Sequence, residues 1–220
     1  FRVSSRDAAT IKAQHVTALP TLPNGFFVTL EGAEGVGKTT QQGMLVDQLE
    51  RRGYDVLRIR EPGGTALGER IRGLLLLRDD AMPLCPEAEL LLFGASRAQL
   101  VKDTILPHLR AGGVVVCDRF IDSTTVYQGE GRGLALDFIA AMHTFCTSEC
   151  TPDLTILLDV PTPLGLERVR RRDGEAAAAD RFQNEATAFH ERVRAGFLAL
   201  SRQHPERIRT VRADGPAPVV

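Results

Sequence analysis

Phe26-Phe27-Val28-Thr29-Leu30, followed by Gly32-Ala33-Glu34-Gly35-Val36-Gly37-Lys38-Thr39, is the stretch on which the fold turns. The first five residues are apolar, aromatic or β-branched, the composition of a buried strand. The next eight satisfy the pattern G-x-x-x-x-G-K-[ST] in full. Thr40 to Arg52, with Met44, Leu45 and Leu49 at helical spacing, reads as the helix that follows. A strand, a glycine-rich turn and a helix aim several backbone N–H groups at one point, at the positive end of a helix dipole, and so build an anion site. Lys38 can then reach the β- and γ-phosphates of a nucleotide, and the Thr39 hydroxyl can ligate Mg2+.

Working outward, β-α alternation continues along the chain. Tyr54 to Arg60 reads as a second strand, stopped by Glu61-Pro62-Gly63-Gly64, and Thr65 caps a helix carrying Leu67, Ile71, Leu74 and Leu75. The longest helical pattern runs from Glu87 to Arg110 and places Phe93 and Arg97 on one face, with Pro107 expected to end or kink it. Gly113 to Arg119 is a continuous apolar run closing on Asp118-Arg119, as suits a parallel strand covered on both faces. Ligands of such sheets bind beyond the carboxyl ends of the strands, where these two residues lie.

The polar, glycine-containing stretch from Asp122 to Gly133 is expected to be a site-lining turn. A helix from Leu134 to about Cys146 and a fourth strand, 154–160, come next. Pro161 and Pro163 open a helix ending in Arg170-Arg171-Arg172, and a charged segment to about residue 181 reads as a closing lid. A helix from Phe182 to His204 and a last strand, 207–211, complete the pattern. The expected fold is α/β, a P-loop three-layer sandwich with a five-stranded parallel sheet and helices on both faces. Residues 26–220 form one domain in this reading, and 1–25 a flexible extension.

Composition bounds the function. With 43% hydrophobic and 25% charged residues and a net charge of −1, the chain is an ordinary globular domain with no global pull towards nucleic acid or an anionic membrane. No apolar run approaches the length of a membrane span, and the start of the chain has no continuous apolar core of a secretory signal. Its basic, acid-poor leader fits an unstructured extension better than a transit segment. The four cysteines lack a Cys-x-x-Cys pair, which suits the reducing cytoplasm. His143, Cys146 and Cys150 could share a helix face, but a metal there would want a fourth ligand, and buried thiols packed as small hydrophobes are the simpler expectation.

The motifs, in this order, resemble those of the thymidylate kinases from about Gly25 to Asp214: the phosphate loop, Arg60-Glu61-Pro62-Gly63-Gly64-Thr65, Phe93-x-x-x-Arg97, Asp118-Arg119 with Ser123, Thr124 and Tyr127-Gln128, and the arginine-rich lid. The resemblance implies transfer of the ATP γ-phosphoryl to dTMP with Mg2+, in a cytoplasmic homodimer. It implies that Gly32 to Thr40 hold ATP and that Thr39 and Asp118 hold the metal. Glu34 would take the sugar 3′-hydroxyl, Phe93 would stack on thymine, and Arg97 and Thr124 would meet the base edge. Tyr127 would crowd the 2′ position, Arg72 and Arg119 would grip the acceptor phosphate, and Pro62, Ser123 and Gln128 would line the same site. Lys38, Arg119 and a lid arginine would be catalytic. The loop holds no arginine, so the chain is similar to bacterial members that draw it from the lid, here Arg172, with Arg170 and Arg171 as the other candidates. Phe120 stands where a tyrosine is common in the family.

Three other readings stand beside this one. A GTP-dependent switch would want an Asn-Lys-x-Asp stretch, and none occurs. A nucleotide-binding regulator without turnover would have no evident use for the arginine-rich lid, and another nucleoside monophosphate kinase would not call for Glu34, Phe93 and Arg97 together.

Overall fold

The computed structural model describes residues 22–76, 83–173, 180–183 and 185–220. The remaining residues of the expected N-terminal extension and the lid segment 174–179 lie outside them. The elements run β1 (Phe26–Glu31), α1 (Lys38–Arg51), β2 (Val56–Arg60), α2 (Ala66–Leu76), α3 (Pro86–Leu100), α4 (Leu106–Arg110), β3 (Val114–Asp118), α5 (Ile121–Thr124), α6 (Leu136–Thr147), β4 (Leu154–Asp159), α7 (Thr162–Asp173), α8 (Thr187–Gln203) and β5 (Ile208–Arg212). Every strand pairing is parallel, in the order β2-β3-β1-β4-β5. That is the expected five-stranded P-loop sheet.

The β3 run divides its side chains between two cores. Val114 and Val116 pack with Leu30, Leu158 and Val193 on one face, while Val115 and Cys117 pack with Phe27, Ile59 and Leu100 on the other. Alternation of this kind in an all-apolar strand is what burial on both faces requires. Because β1 and β3 are register neighbours, Leu30 pairs with Asp118, and the phosphate loop after β1 opens beside the acid at the end of β3. Reversal of strand order on either side of β1 places the ligand crevice there.

Two sequence expectations are corrected, and one left between two outcomes is narrowed. Of ending or kinking at Pro107, the helix does not end: α3 passes through a π-helical stretch, Val101–Ile105, into α4, where proline sits in the first turn. The wider turn and the first-turn position remove the need for the hydrogen bond that proline cannot give. The stretch from Asp122 to Gly133 is largely helical and buried, with α5 leading into a π-helical segment, Thr125–Gly131. Its polar residues are buried because partners distant in sequence satisfy them. Asp122 takes both Arg207 Nη1 and Nη2, at 2.6 and 2.7 Å, and the Ser123 hydroxyl donates to Glu31 at 2.5 Å. The last helix begins at Thr187 rather than Phe182. Before it, Asp180 accepts from the backbone N–H groups of Phe182 and Gln183 in a turn that points Phe182 into the core.

At the start of the described chain, Leu22 donates its N–H to Gly112 and packs on the core. The last residues assigned to the extension are thus part of the folded unit.

Candidate active site

Gly35 holds the phosphate loop in a conformation only glycine adopts freely, with φ +70°, and a Cβ there would lie 2.0 Å from the Gly165 carbonyl oxygen. Gly165 is in the first turn of α7, where a Cβ would lie 2.5 Å from the Glu34 carbonyl oxygen. Two glycines therefore let α7 abut the loop, and the same helix carries Arg172 in its last turn. At the front of α1, Lys38 Nζ donates to the Gly32 and Ala33 carbonyls at 3.1 and 2.8 Å. Burial, with Arg119 adding repulsion, pushes the Lys38 ammonium down to about 8. The Thr39 hydroxyl, in the first turn of α1, donates to Asp118, at the end of β3, at 2.7 Å. Two hard oxygen donors side by side next to a phosphate loop fit Mg2+, which takes few protein ligands and keeps water and phosphate oxygens for the rest.

A cavity of about 670 Å³ opens on one side of the loop and a smaller one of about 280 Å³ on the other. The larger is walled by Glu34, Lys38, Arg72, Phe93, Arg97 and Arg119, together with Pro62, Ser123, Thr124, Tyr127 and Gln128. The smaller has Gly35, Val36, Gly37 and Thr40 on one wall and Ala213, Gly215 and Ala217 on the other. Gly32 and Ala33 are in neither wall and contribute the carbonyls that hold Lys38 from behind. Arg172 borders both cavities, whereas Arg170 and Arg171 border neither, and Arg171 pairs instead with Glu167 at 2.5 Å.

Arg119 is the centre of the larger cavity. It follows β3 with φ +70°, an uncommon conformation for a side chain with a Cβ, and its guanidinium recovers that cost through four bonds. Nη1 donates to Gly32 O and Ser123 Oγ at 3.0 and 3.1 Å, and Nη2 to Glu34 Oε1 and the Tyr127 hydroxyl at 2.6 and 3.2 Å. Tyr127 donates in turn to Glu34 Oε1 at 2.9 Å. Burial would raise the Glu34 carboxyl, but the Arg119 and Lys38 cations win and hold it at about 2. Both of its bonds fall on Oε1, so among the described residues Oε2 takes none and can accept from a ligand hydroxyl. The Tyr127 ring is wedged edge-on against Phe182, Phe189 and Phe197, which leaves its position little freedom.

Deeper in the cavity Arg97 is 1% exposed. Its Nε lies 2.8 Å from Glu61 Oε1, and Nη2 donates to Thr124 Oγ1 at 2.7 Å. Phe93, one turn earlier on α3, is partly exposed and faces Phe182 at a ring separation of 6.1 Å. Arg72 is held by the Pro62 carbonyl at 2.8 Å.

Several residues were given no role in this site from sequence. Glu61 and His143 hold Arg97 from 36 and 46 residues away. Glu89, 1% exposed, accepts from Gln128 Nε2 at 2.6 Å, Arg132 Nη2 at 3.2 Å and Arg181 Nη1 at 2.8 Å, tying α3 to the cavity wall and to the far end of the lid. Arg168 donates to the Ala213 carbonyl at 2.9 Å and Gln41 to the Ala217 carbonyl at 2.7 Å, which brace the wall of the smaller cavity. The one available signal was that a buried cation demands a counter-charge. Spacing alone cannot say which acid supplies it. The expected packing of Cys146 is seen, in a cluster with Leu90, Ile139 and Met142.

Among the described residues no group of three or more His, Cys, Asp and Glu side chains could hold a metal, and no helix is long and apolar enough to cross a membrane. The family model described as Thymidylate kinase matches residues 30–220. A thymidylate kinase from Desulfosudis oleivorans is 50% identical over 87% of this chain and 90% of its own length. One from a Synechococcus species is 51% identical over 88% and 89%. The crystal structure of thymidylate kinase from Ehrlichia chaffeensis superposes with a TM-score of 0.70 at 33% identity, covering 88% of this chain and 90% of that one. A family match from residue 30 to residue 220, with relatives about half identical over most of their own length, leaves one assignment: the chain belongs to the thymidylate kinase family.

Proposed function

We propose that the chain transfers the γ-phosphoryl group of ATP to the phosphate of dTMP, giving ADP and dTDP. The observation that carries the reading is the position of the phosphate loop between two cavities, with Lys38 on the larger wall and Arg172 on both. ATP enters from the smaller cavity, its phosphates over the loop amides. In the larger one Phe93 faces the base, Glu34 Oε2 accepts the sugar 3′-hydroxyl, Tyr127 closes the 2′ side, and Arg119 and Arg72 hold the acceptor phosphate.

The acceptor is already an anion, so the transfer needs no strong general base. Its barrier lies in bringing two polyanions together and in the charge on the moving group, which a cage of fixed donors offsets. Lys38 stays on the β- and γ-phosphates, Arg119 brings the acceptor oxygen forward, and Arg172 reaches the transferring group from α7. Mg2+ held by Thr39 and Asp118 would neutralise phosphate charge when bound.

Arg97 carries only donors, so it suits the C4 carbonyl of thymine or uracil and opposes the C4 amine of cytosine. The thymine methyl adds only about 10- to 200-fold, the worth of one methyl in an apolar pocket. A coupled assay of ADP release should therefore rank dTMP first, dUMP measurably weaker and dCMP barely used, with 3′-deoxy-dTMP a very poor substrate. Equal use of dCMP and dUMP would sink the base reading, and ATP binding without turnover on any monophosphate would point to a regulator instead.

A homodimer is proposed on α3 and α6. Phe138 and Phe145, seven residues apart on α6, are 55% and 85% exposed, and Leu91 on α3, which packs beside α6, is 57% exposed. An apolar stripe of this kind suits a second copy of the same chain. A cytoplasmic location suits the four unpaired cysteines.

A further inference from the structure

The Arg97 guanidinium has five N–H groups, and the structure accounts for four. Nε–H goes to Glu61, the two on Nη2 go to Thr124 Oγ1 and the Phe120 carbonyl at 2.7 and 3.3 Å, and one on Nη1 faces His143 Nδ1 at 3.2 Å. Among the described residues the second Nη1 hydrogen has no partner, and Arg97 lines the larger cavity.

The tautomer of His143 follows from its other side. Its Nε2 lies 3.2 Å from Thr125 Oγ1, and that hydroxyl donates its own hydrogen to the Ile121 carbonyl at 3.2 Å. Thr125 Oγ1 is therefore free only to accept, Nε2 must carry the proton, and Nδ1 is left as a bare acceptor towards Arg97. Burial, with the Arg97 charge beside it, pushes the imidazole down to about 3, so this neutral form persists through the physiological range. A guanidinium anchored only through Nε and Nη2 can still rock about the line joining those atoms. An acceptor on Nη1 removes that freedom.

We propose that His143 is a specificity-positioning residue: Nδ1 takes one Nη1 hydrogen of Arg97 and so aims the other at the C4 carbonyl of the pyrimidine. The inference rests on the reading that Arg97 meets the base. His143 touches no substrate, and its effect is on which base is accepted rather than on the transfer step. The chemistry it supplies, a fixed neutral acceptor against a guanidinium, could not be filled by a protonated ring, which would set donor against donor.

The two ring nitrogens can be separated by substitution. Asn places an amide oxygen near Nδ1, while Gln places its amide near Nε2 and keeps only the Thr125 side. We expect H143Q and H143A to lower the kcat/KM ratio of dTMP over dCMP by about tenfold, the scale of one hydrogen bond to a charged group. The change should come through KM for dTMP, with KM for ATP unmoved, and H143N should restore the parental ratio. R97M serves as the reference. If R97M loses the discrimination while H143Q keeps it, the role of His143 is overturned and that of Arg97 stands. If R97M keeps it, the base reading itself fails. Equal losses in H143N and H143A would reduce His143 to packing and overturn the proposal. Should H143Q and H143A fail to fold, T125V, which removes the acceptor that helps fix the tautomer, is expected to shift the ratio in the same direction, and a parental ratio there overturns the inference.

Discussion

Glu89→Ala tests whether one carboxylate holds the cavity together. Glu89 is 1% exposed and collects a donor from the π-helical wall, Gln128, and two guanidiniums, Arg132 and Arg181, whose side chains are 16% and 18% exposed. Removing one partner of a buried ion pair costs about 3–5 kcal/mol because the remaining charge stays desolvated. Two features argue for the lower end. Arg132 keeps Glu185 at 2.5 Å, and Arg181 keeps the Leu75 carbonyl at 3.1 Å. A loss of about 3 kcal/mol lowers the melting temperature of a chain this size by roughly 6–12 °C. Glu89→Gln should fall between, since its amide oxygen can still accept from Gln128 while its NH2 opposes an arginine. The function should move too. Gln128, Phe182 and Gln183 line the larger cavity and are placed through this hub, so KM for dTMP should rise more than KM for ATP. Thermal melting and initial rates on the two variants check both. A Glu89→Ala protein melting within about 2 °C of the parent, with unchanged KM for dTMP, would refute the argument.

Three further outcomes are expected. Arg172→Ala should lower kcat by about 10³- to 10⁵-fold, the worth of an arginine on a transferring phosphoryl group, with little effect on dTMP binding, and a comparable loss in Arg170→Ala or Arg171→Ala alone would reassign the role. Glu31, in the buried end of β1, is pushed up to about 8 by burial and by the Asp122 charge, against the pull of Ser123, Arg119 and Phe120. The native state then holds a proton that the unfolded chain has released near its ordinary value of 4.5, so the contribution of Glu31 is fully present below that pH and is lost as pH rises to about 8. Glu31→Gln should flatten this part of the melting profile between pH 5 and 8, and parallel profiles for parent and variant would contradict it. Phe145→Glu should convert a dimer to a monomer in sedimentation velocity without loss of the fold, and a parent that sediments as a monomer would remove the proposed interface.

The amino-acid sequence by itself determined the parallel sheet and the phosphate loop, because both are local. A buried strand is written in a run such as Val114 to Cys117, and the loop in glycines whose backbone must enter regions closed to other residues. The same holds for Phe93 and Arg97, four apart on one helix. What only the tertiary structure decided is who stands opposite whom. Asp122 to Gly133 looks like a turn in sequence because its polarity is visible and its partners Arg207 and Glu31 are not. That Arg172, of three consecutive arginines, is the one bordering both cavities depends on the phase of α7 where Gly165 lets it abut the loop. Glu61, Glu89 and His143 acquire their roles only when α3, the π-helical wall and α6 converge on one cavity. Buried charges and their partners are fixed by distances across the fold, and those distances are not a property of any segment alone.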